Sequence, residues 1–420
     1  MGEKRTHILL PIAMFGIATL FYLYEFLLRV APSVMFAELM EDFQLDAQKF
    51  GILSSSYYWS YAALQLPIGA LTDRYGPRRL LTFAIVLCGA STFLSAFTSS
   101  FYVACLLRFF IGAGSAFAFI CCMKIIATWF RASLFPLMTG LTLTIGTLGA
   151  VASAPVSYFL NFVTWQTLFM WLGGIGFVMA IFAWFLIKDH NPDHPEADAQ
   201  PGNHLSVWTC LKEIAKWPQN WLVAFYSFLV TAPTDAFGGA WGVPFLAHAH
   251  HVARDHAALA VSMTFLGLAC GSPFMGWLTG RWGSRRKPMF LSSVIACVIL
   301  VTLIYIPTLS AIGAGLLFFL FGFWGVYVLS FVVIRDLNSS QFVATAVGFV
   351  NMLSMVGSAL LTYLIGAVLD VVRSGEIIAG DPVYTSGDYH LGLLMVPVFY
   401  AISALLVVPF IKESVSLQKK

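Results

Sequence analysis

Four ionisable side chains lie inside apolar runs of this 420-residue chain: Glu25 and Arg29 in LFYLYEFLLRVAP, Arg108 in CLLRFFIGAG, and Asp235 in TAPTDAFGG. A charge at the middle of a bilayer costs at least about 2.5 to 3.5 kcal/mol, so such residues are rare and usually face a cavity. A carboxyl in a poorly hydrated cavity binds a proton more tightly, which makes Glu25 the leading proton carrier and Asp235 the second. A guanidinium offers a two-pronged fork to a carboxylate or phosphate, so Arg29 and Arg108 are candidates to grip an anionic group. Glu25 and Arg29 stand four apart on one helix face and can also neutralise each other. That pairing alone leaves Arg108 and Asp235 unexplained. Asp235 can instead hold a substrate ammonium group, and two arginines with two acids suit a zwitterion such as an amino acid or small peptide.

The elements that must position these groups are membrane helices. Apolar residues make up 59% of the chain and charged ones only 10%, against about a quarter charged in a soluble domain. With mean hydropathy +0.83, most of the chain must be solvated by lipid. Scanning for runs of about 20 apolar residues places spans near 7–35, 50–71, 79–98, 101–128, 135–160 and 166–187, then near 220–247, 257–279, 286–307, 309–333, 343–371 and 390–411. The expected fold is therefore an all-α membrane protein of twelve transmembrane helices in two pseudo-symmetric six-helix bundles, 1–187 and 220–420. A polar cytoplasmic linker, 188–219, joins them and contains DHNPDHPEADAQPGNH. The first run is too long for a signal peptide and reads as a retained helix. With both termini inside, most of the 23 lysines and arginines fall on cytoplasmic loops and only Lys49, Arg254 and Arg373 fall outside, as the positive-inside rule requires. Counting along each helix then puts Glu25 roughly 6 Å, Arg29 roughly 12 Å, Arg108 roughly 9 Å and Asp235 roughly 3 Å outward of mid-membrane, in one layer.

Composition excludes other classes. The net charge of +3 is spread along the chain, without the basic stripe that tracks nucleic acid. The seven cysteines form no CxxC pair and read as small buried hydrophobes. Four histidines in HAHHVARDH, His248, His250, His251 and His256, fall in a loop without rigid ligand spacing, so neither a metal nor a cofactor is expected. No phosphate-cradling loop or nucleophile elbow is present.

The chain also repeats itself. GALTDRYGPRR at Gly69–Arg79 recurs as GWLTGRWGSRR at Gly276–Arg286, after the second span of each half. The first copy is similar to the signature loop of the major facilitator superfamily, and RFFIGAGSAFAF from Arg108 resembles that superfamily's fourth-helix motif. SYYWSYAALQLPIGALTDRYG, with Arg29 in place of a first-helix arginine, looks like the organic anion:cation symporter branch, and FYLYEFLLRVAPSVM looks like the phagosomal nutrient transporters of intracellular bacteria. Two acids usual in the symporter branch are replaced by Leu28 and Ser115, which leaves Glu25 as the nearest substitute. The fifth span, GLTLTIGTLGAVASAP, lacks the glycine–proline pattern of drug/proton antiporters.

The resemblance implies that spans 1, 4, 7 and 10 line a central chamber. Tyr24, Tyr57, Tyr61, Trp241, Trp324, Tyr327 and Asn351 are candidates by position to complete its substrate site. Gly69, Asp73, Arg74, Gly76, Arg78 and Arg79 are expected to gate, the glycines allowing close approach and a tight turn. Asp73 is expected to pair with Arg131 and latch the outward-open state. Gly280 replaces that aspartate in the second copy, so the latch is expected to be asymmetric. The functional expectation is proton-coupled uptake of a small anionic or zwitterionic nutrient, by a monomer in the bacterial inner membrane. Its partners are then substrate, protons and lipid. The competing readings are an exporter of amphipathic compounds and a membrane sensor that does not transport.

Overall fold

A computed structural model describes residues 2–131, 134–189, 207–339, 342–374, 377–378, 381–382 and 384–413. The architecture is all-α, with one short ladder, Ile377–Ile378 against Asp381–Pro382, before the last span. Among the described residues ten helical spans are long and apolar enough to cross a bilayer: Leu9–Val34, Arg74–Ser95, Phe101–Trp129, Leu137–Phe159, Trp165–Leu186, Arg254–Trp282, Arg286–Tyr305, Ala311–Leu337, Thr345–Val372 and Ser386–Phe410. They take the places of expected spans 1, 3 to 6 and 8 to 12.

Spans 2 and 7 are helical as well but less uniform, and the reason is where they sit. Span 2, Ala47–Leu64, carries serines and tyrosines that are mostly buried inside the protein and so need not be lipophilic. Span 7 runs through Pro218–Pro233, a π-helical stretch Thr234–Trp241 and a last helix Gly242–Ala249. Pro233 and Pro244 lack the N–H that would continue the helix, and Gly238 and Gly239 add little helix preference, so the wider turn forms between them. Such π turns gather at functional positions, and this one carries Asp235. Of the expected linker, 190–206 lies outside the described residues, while Val207–Ala215 is helical.

The halves meet where span 2 crosses span 11 and where span 5 crosses span 8. The first crossing is so close that a Cβ on Gly366 would collide with the carbonyl oxygen of Ala47. At that end the seam is closed by several contacts. Ala47 N–H donates to Asp370 Oδ1 at 3.2 Å and to the Tyr384 hydroxyl at 2.8 Å, and Gln48 N–H donates to Asp370 Oδ2 at 2.7 Å. Arg254 pairs with Glu38 and donates to Asn161 at 3.0 Å. Trp241 wedges between Phe50 and Phe36, its ring 5.1 and 6.0 Å from theirs. Toward the other end Asn351 Nδ2 donates to Gln65 Oε1 across the seam at 2.8 Å.

Candidate functional site: a charged cluster on the seam

Span 1 presents Glu25 and Arg29 one turn apart, and span 7 brings Asp235 to them from the other half. Arg29 Nη2 lies 3.3 Å from both Glu25 oxygens, and Arg29 Nη1 lies 3.8 Å from Asp235 Oδ1. Tyr57 donates its hydroxyl proton to Glu25 Oε2 at 2.6 Å, and Ser358 donates to Asp235 Oδ2 at 2.7 Å. The guanidinium sits 4.2 Å over Phe26, with Tyr61 at 5.4 Å and Tyr57 at 5.6 Å. Exposure is 0% for Glu25, 6% for Arg29 and 4% for Asp235, so the cluster is dry and its Coulomb interactions are strong. One guanidinium faces two carboxyls. If both are ionised the triad carries an excess negative charge, and one proton neutralises it.

Arg108 joins this cluster in a different way from that expected. Its Nη1 and Nη2 each donate at 2.5 Å to a main-chain carbonyl, those of Leu28 and Arg29, and its guanidinium lies 4.9 Å from the Tyr57 ring. The cause is on span 1. Pro32 lies inside that helix and has no N–H to offer the carbonyl four residues back, which belongs to Leu28. A buried carbonyl without a partner is costly, and Arg108 supplies the missing donors. The residue expected to grip an anion is thus occupied by main-chain carbonyls of span 1 beside Pro32.

The sequence profile described as Major Facilitator Superfamily matches residues 14–236, more than half of the chain. The chain belongs to this superfamily. Among curated relatives it is 26% identical to the Probable sulfoacetate transporter SauU of Cupriavidus necator over 51% of this chain and 52% of that protein, so it spans about half the length of that relative. It is 23% identical to the Probable galactarate/D-glucarate transporter GudP of Escherichia coli over 82% and 84%. Among solved structures, a bacterial homologue of the human lysosomal transporter Spinster, in an inward-facing and unoccupied conformation, superposes with TM-score 0.77 at 15% identity, covering 95% of this chain and 96% of that one. That likeness is one of fold. Relatives named as transporters stand beside the Membrane sensor protein UhpC of Escherichia coli, 23% identical over 97% of this chain and 92% of that protein, and none of these names is that of an enzyme.

Within this superfamily fold, the other sequence candidates are dispersed. Tyr24 points into its own half and donates to the Leu172 carbonyl at 3.0 Å. Trp241 donates to Thr362 O at 3.0 Å and belongs to the closed end of the seam. Trp324 packs on Phe274 and Phe323 inside the second half. Tyr327 is half-buried against Phe331, within electrostatic reach of Asp235, Arg29 and Glu25. Asn351 meets Gln65 instead of the charged triad. Residues the sequence reading missed are Phe26, Gln65, Ser358 and Tyr58, whose hydroxyl lies against Gly239 of the other half. Ser354 and Ser358 repeat at a helical interval on span 11, a polar stripe that could have flagged the face. Among the described residues no three His, Cys, Asp or Glu side chains gather as metal ligands.

The loop motif makes contacts other than the expected one. Gly76 has φ +79°, and a Cβ there would strike Asp189, which follows span 6 and accepts the Arg78 N–H at 2.9 Å. Arg78 also donates to Trp184 O at 2.8 Å, while Arg74 lies over Tyr75 and Arg79 is exposed. Arg131 is exposed, and the Asp73 side chain lies outside the described residues, so their pairing is not seen. The second copy also turns at a positive-φ glycine, but with a different backbone conformation, ψ 26° at Gly283 against 156° at Gly76. Gly283 has φ +57°, Glu413 accepts from Arg285 N–H at 3.0 Å, and Arg285 Nε lies 3.5 Å from Asp336. Gly69, in contrast to the close approach expected of it, has open space where a Cβ would stand, with no neighbouring atom within 4 Å. Gly76→Ala should therefore destabilise the protein by about 1–3 kcal/mol, the cost of a side chain at a backbone conformation open essentially to glycine alone. Gly69→Ala should stay within about 0.5 kcal/mol of the parent, both read as thermal unfolding in detergent.

Proposed function

We propose that the chain is a proton-coupled secondary transporter that takes up a small anionic or zwitterionic solute by alternating access between its halves. The observation that carries this reading is Arg29, a guanidinium of one half held between a carboxyl of its own half and one of the other. Such a group can exchange protein carboxylates for a substrate carboxylate or sulfonate, and the exchange is felt on both sides of the seam. Protonation of Glu25 weakens its hold on Arg29 and frees the fork. Substrate and proton then bind together, the halves rock, and release restores the ion pair. Asp235 stays ionised to receive an ammonium group where the substrate has one. The names of the relatives, for sulfoacetate and for galactarate or D-glucarate, support an anionic substrate group. The aromatic lining alone would suit amphipathic export, but a desolvated charge triad favours a polar cargo.

In the orientation set by the basic loops, the Ala47 end faces outward and both termini are cytoplasmic, in a bacterial inner membrane. The test is uptake into proteoliposomes of labelled sulfoacetate, D-glucarate and a panel of amino acids, with and without an inside-alkaline pH gradient. At least one should accumulate above its external level only with the gradient. Accumulation indifferent to the gradient would remove the proton from the scheme, and failure of every charged solute would remove the substrate class.

A further inference from the structure

The two halves treat the space beneath their loop arginines differently. In each half a carboxylate past the sixth span caps the loop backbone: Asp189 accepts from Arg78 N–H, and Glu413 from Arg285 and Arg286 N–H. Five residues before these carboxylates stand Trp184 and Val408 respectively. In the first half the exposed indole of Trp184 stacks against the Arg78 guanidinium, 4.4 Å from its ring. In the second half a groove of about 310 Å³ opens beside the buried Val408, lined by Arg286, Lys287, Phe290, Val408 and Pro409.

The position of this groove decides its chemistry. Arg286 opens one membrane span and Phe410 closes another, so the groove lies at a membrane boundary. Two exposed cations stand at its rim, and Phe290, 43% exposed, lies one helical turn deeper. Among the described residues the Arg286 guanidinium makes one long contact, 3.4 Å, to the Pro409 carbonyl. Glu413, the nearest carboxylate, is occupied by Ser284 and the two backbone N–H groups. The start of the helix Arg286–Tyr305 adds its own positive end. Basic grooves between membrane helices on the cytoplasmic side suit anionic headgroups.

We propose that this groove binds an anionic phospholipid, its phosphate held by Arg286 and Lys287 and its first acyl carbons resting on Phe290 and Pro409. A free phosphate would leave the apolar floor unused. Native mass spectrometry of the full chain released from micelles doped with phosphatidylglycerol or phosphatidylethanolamine tests this. Phosphatidylglycerol should be retained preferentially, and the double variant Arg286→Gln/Lys287→Gln should lower its retention roughly ten-fold or more. Val408→Trp, which fills the groove and keeps both charges, should lower it comparably, while Arg79→Gln in the first half should not. Retention of phosphatidylglycerol unchanged in both groove variants overturns the proposal. So does equal retention of the two lipids, or displacement of the lipid by millimolar inorganic phosphate.

Discussion

Arg29→Ala is expected to weaken substrate binding by at least about a hundred-fold, because removing one member of a buried ion pair costs about 3–5 kcal/mol. Two consequences combine. The substrate loses its fork, and Glu25 and Asp235, both nearly inaccessible to water, lose the cation that makes them tolerable. Arg29→Lys restores the charge but not the two-pronged geometry or the stacking on Phe26, so it should recover little. Because the single variant can also suffer in stability, Arg29→Ala/Glu25→Gln is the informative companion. It removes the like-charge conflict and should regain thermal stability without regaining binding. Calorimetric titration showing the double variant within three-fold of the parent would leave Arg29 a structural residue only.

Glu25→Gln should abolish accumulation driven by a pH gradient while sparing exchange of labelled for unlabelled substrate. The amide keeps a partner for the Tyr57 hydroxyl, which lies 2.6 Å from Glu25, so the packing around position 25 is kept. What it loses is a protonation site. The ion pair that resets Arg29 after release is lost with it, so the variant should also hold substrate more tightly. The sign follows from charge: with Glu25 neutral, Arg29 faces one carboxylate instead of two and the substrate anion competes with less. Asp235→Asn is expected to affect charged-amine substrates first. Gradient-driven accumulation surviving in Glu25→Gln would pass the proton role to another group.

Much of this arrangement is legible in the residues, and the gaps have physical causes. Span positions follow from hydropathy because lipid allows few alternatives to an apolar helix. The charges at 25, 29 and 235 stand out for the same reason, and the structure places them in contact. Arg108 stood out equally, but its partner is a backbone carbonyl, and only Pro32, four residues beyond Leu28, hinted at one left bare. Tyr24 and Glu25 are neighbours about 100° apart on a helix, so both could not face the seam; sequence position alone did not choose between them. Ser358 carries no charge to betray it among apolar neighbours. Asp189 and Glu413 are surface carboxylates like many others until the positive-φ glycine turns fold back on them.

The first turn of span 2 is completed by the opposite half. Its third amide is satisfied locally by Asp46, but that of Gln48 relies on Asp370 and that of Ala47 on Asp370 and the Tyr384 hydroxyl. Each hydrogen bond to a charged partner contributes on the order of 1.5–3 kcal/mol, and both are surrendered whenever that end parts. In the uptake cycle proposed above, opening the Ala47 end would part these bonds and fray the first turn of span 2 before a solute could reach Arg29.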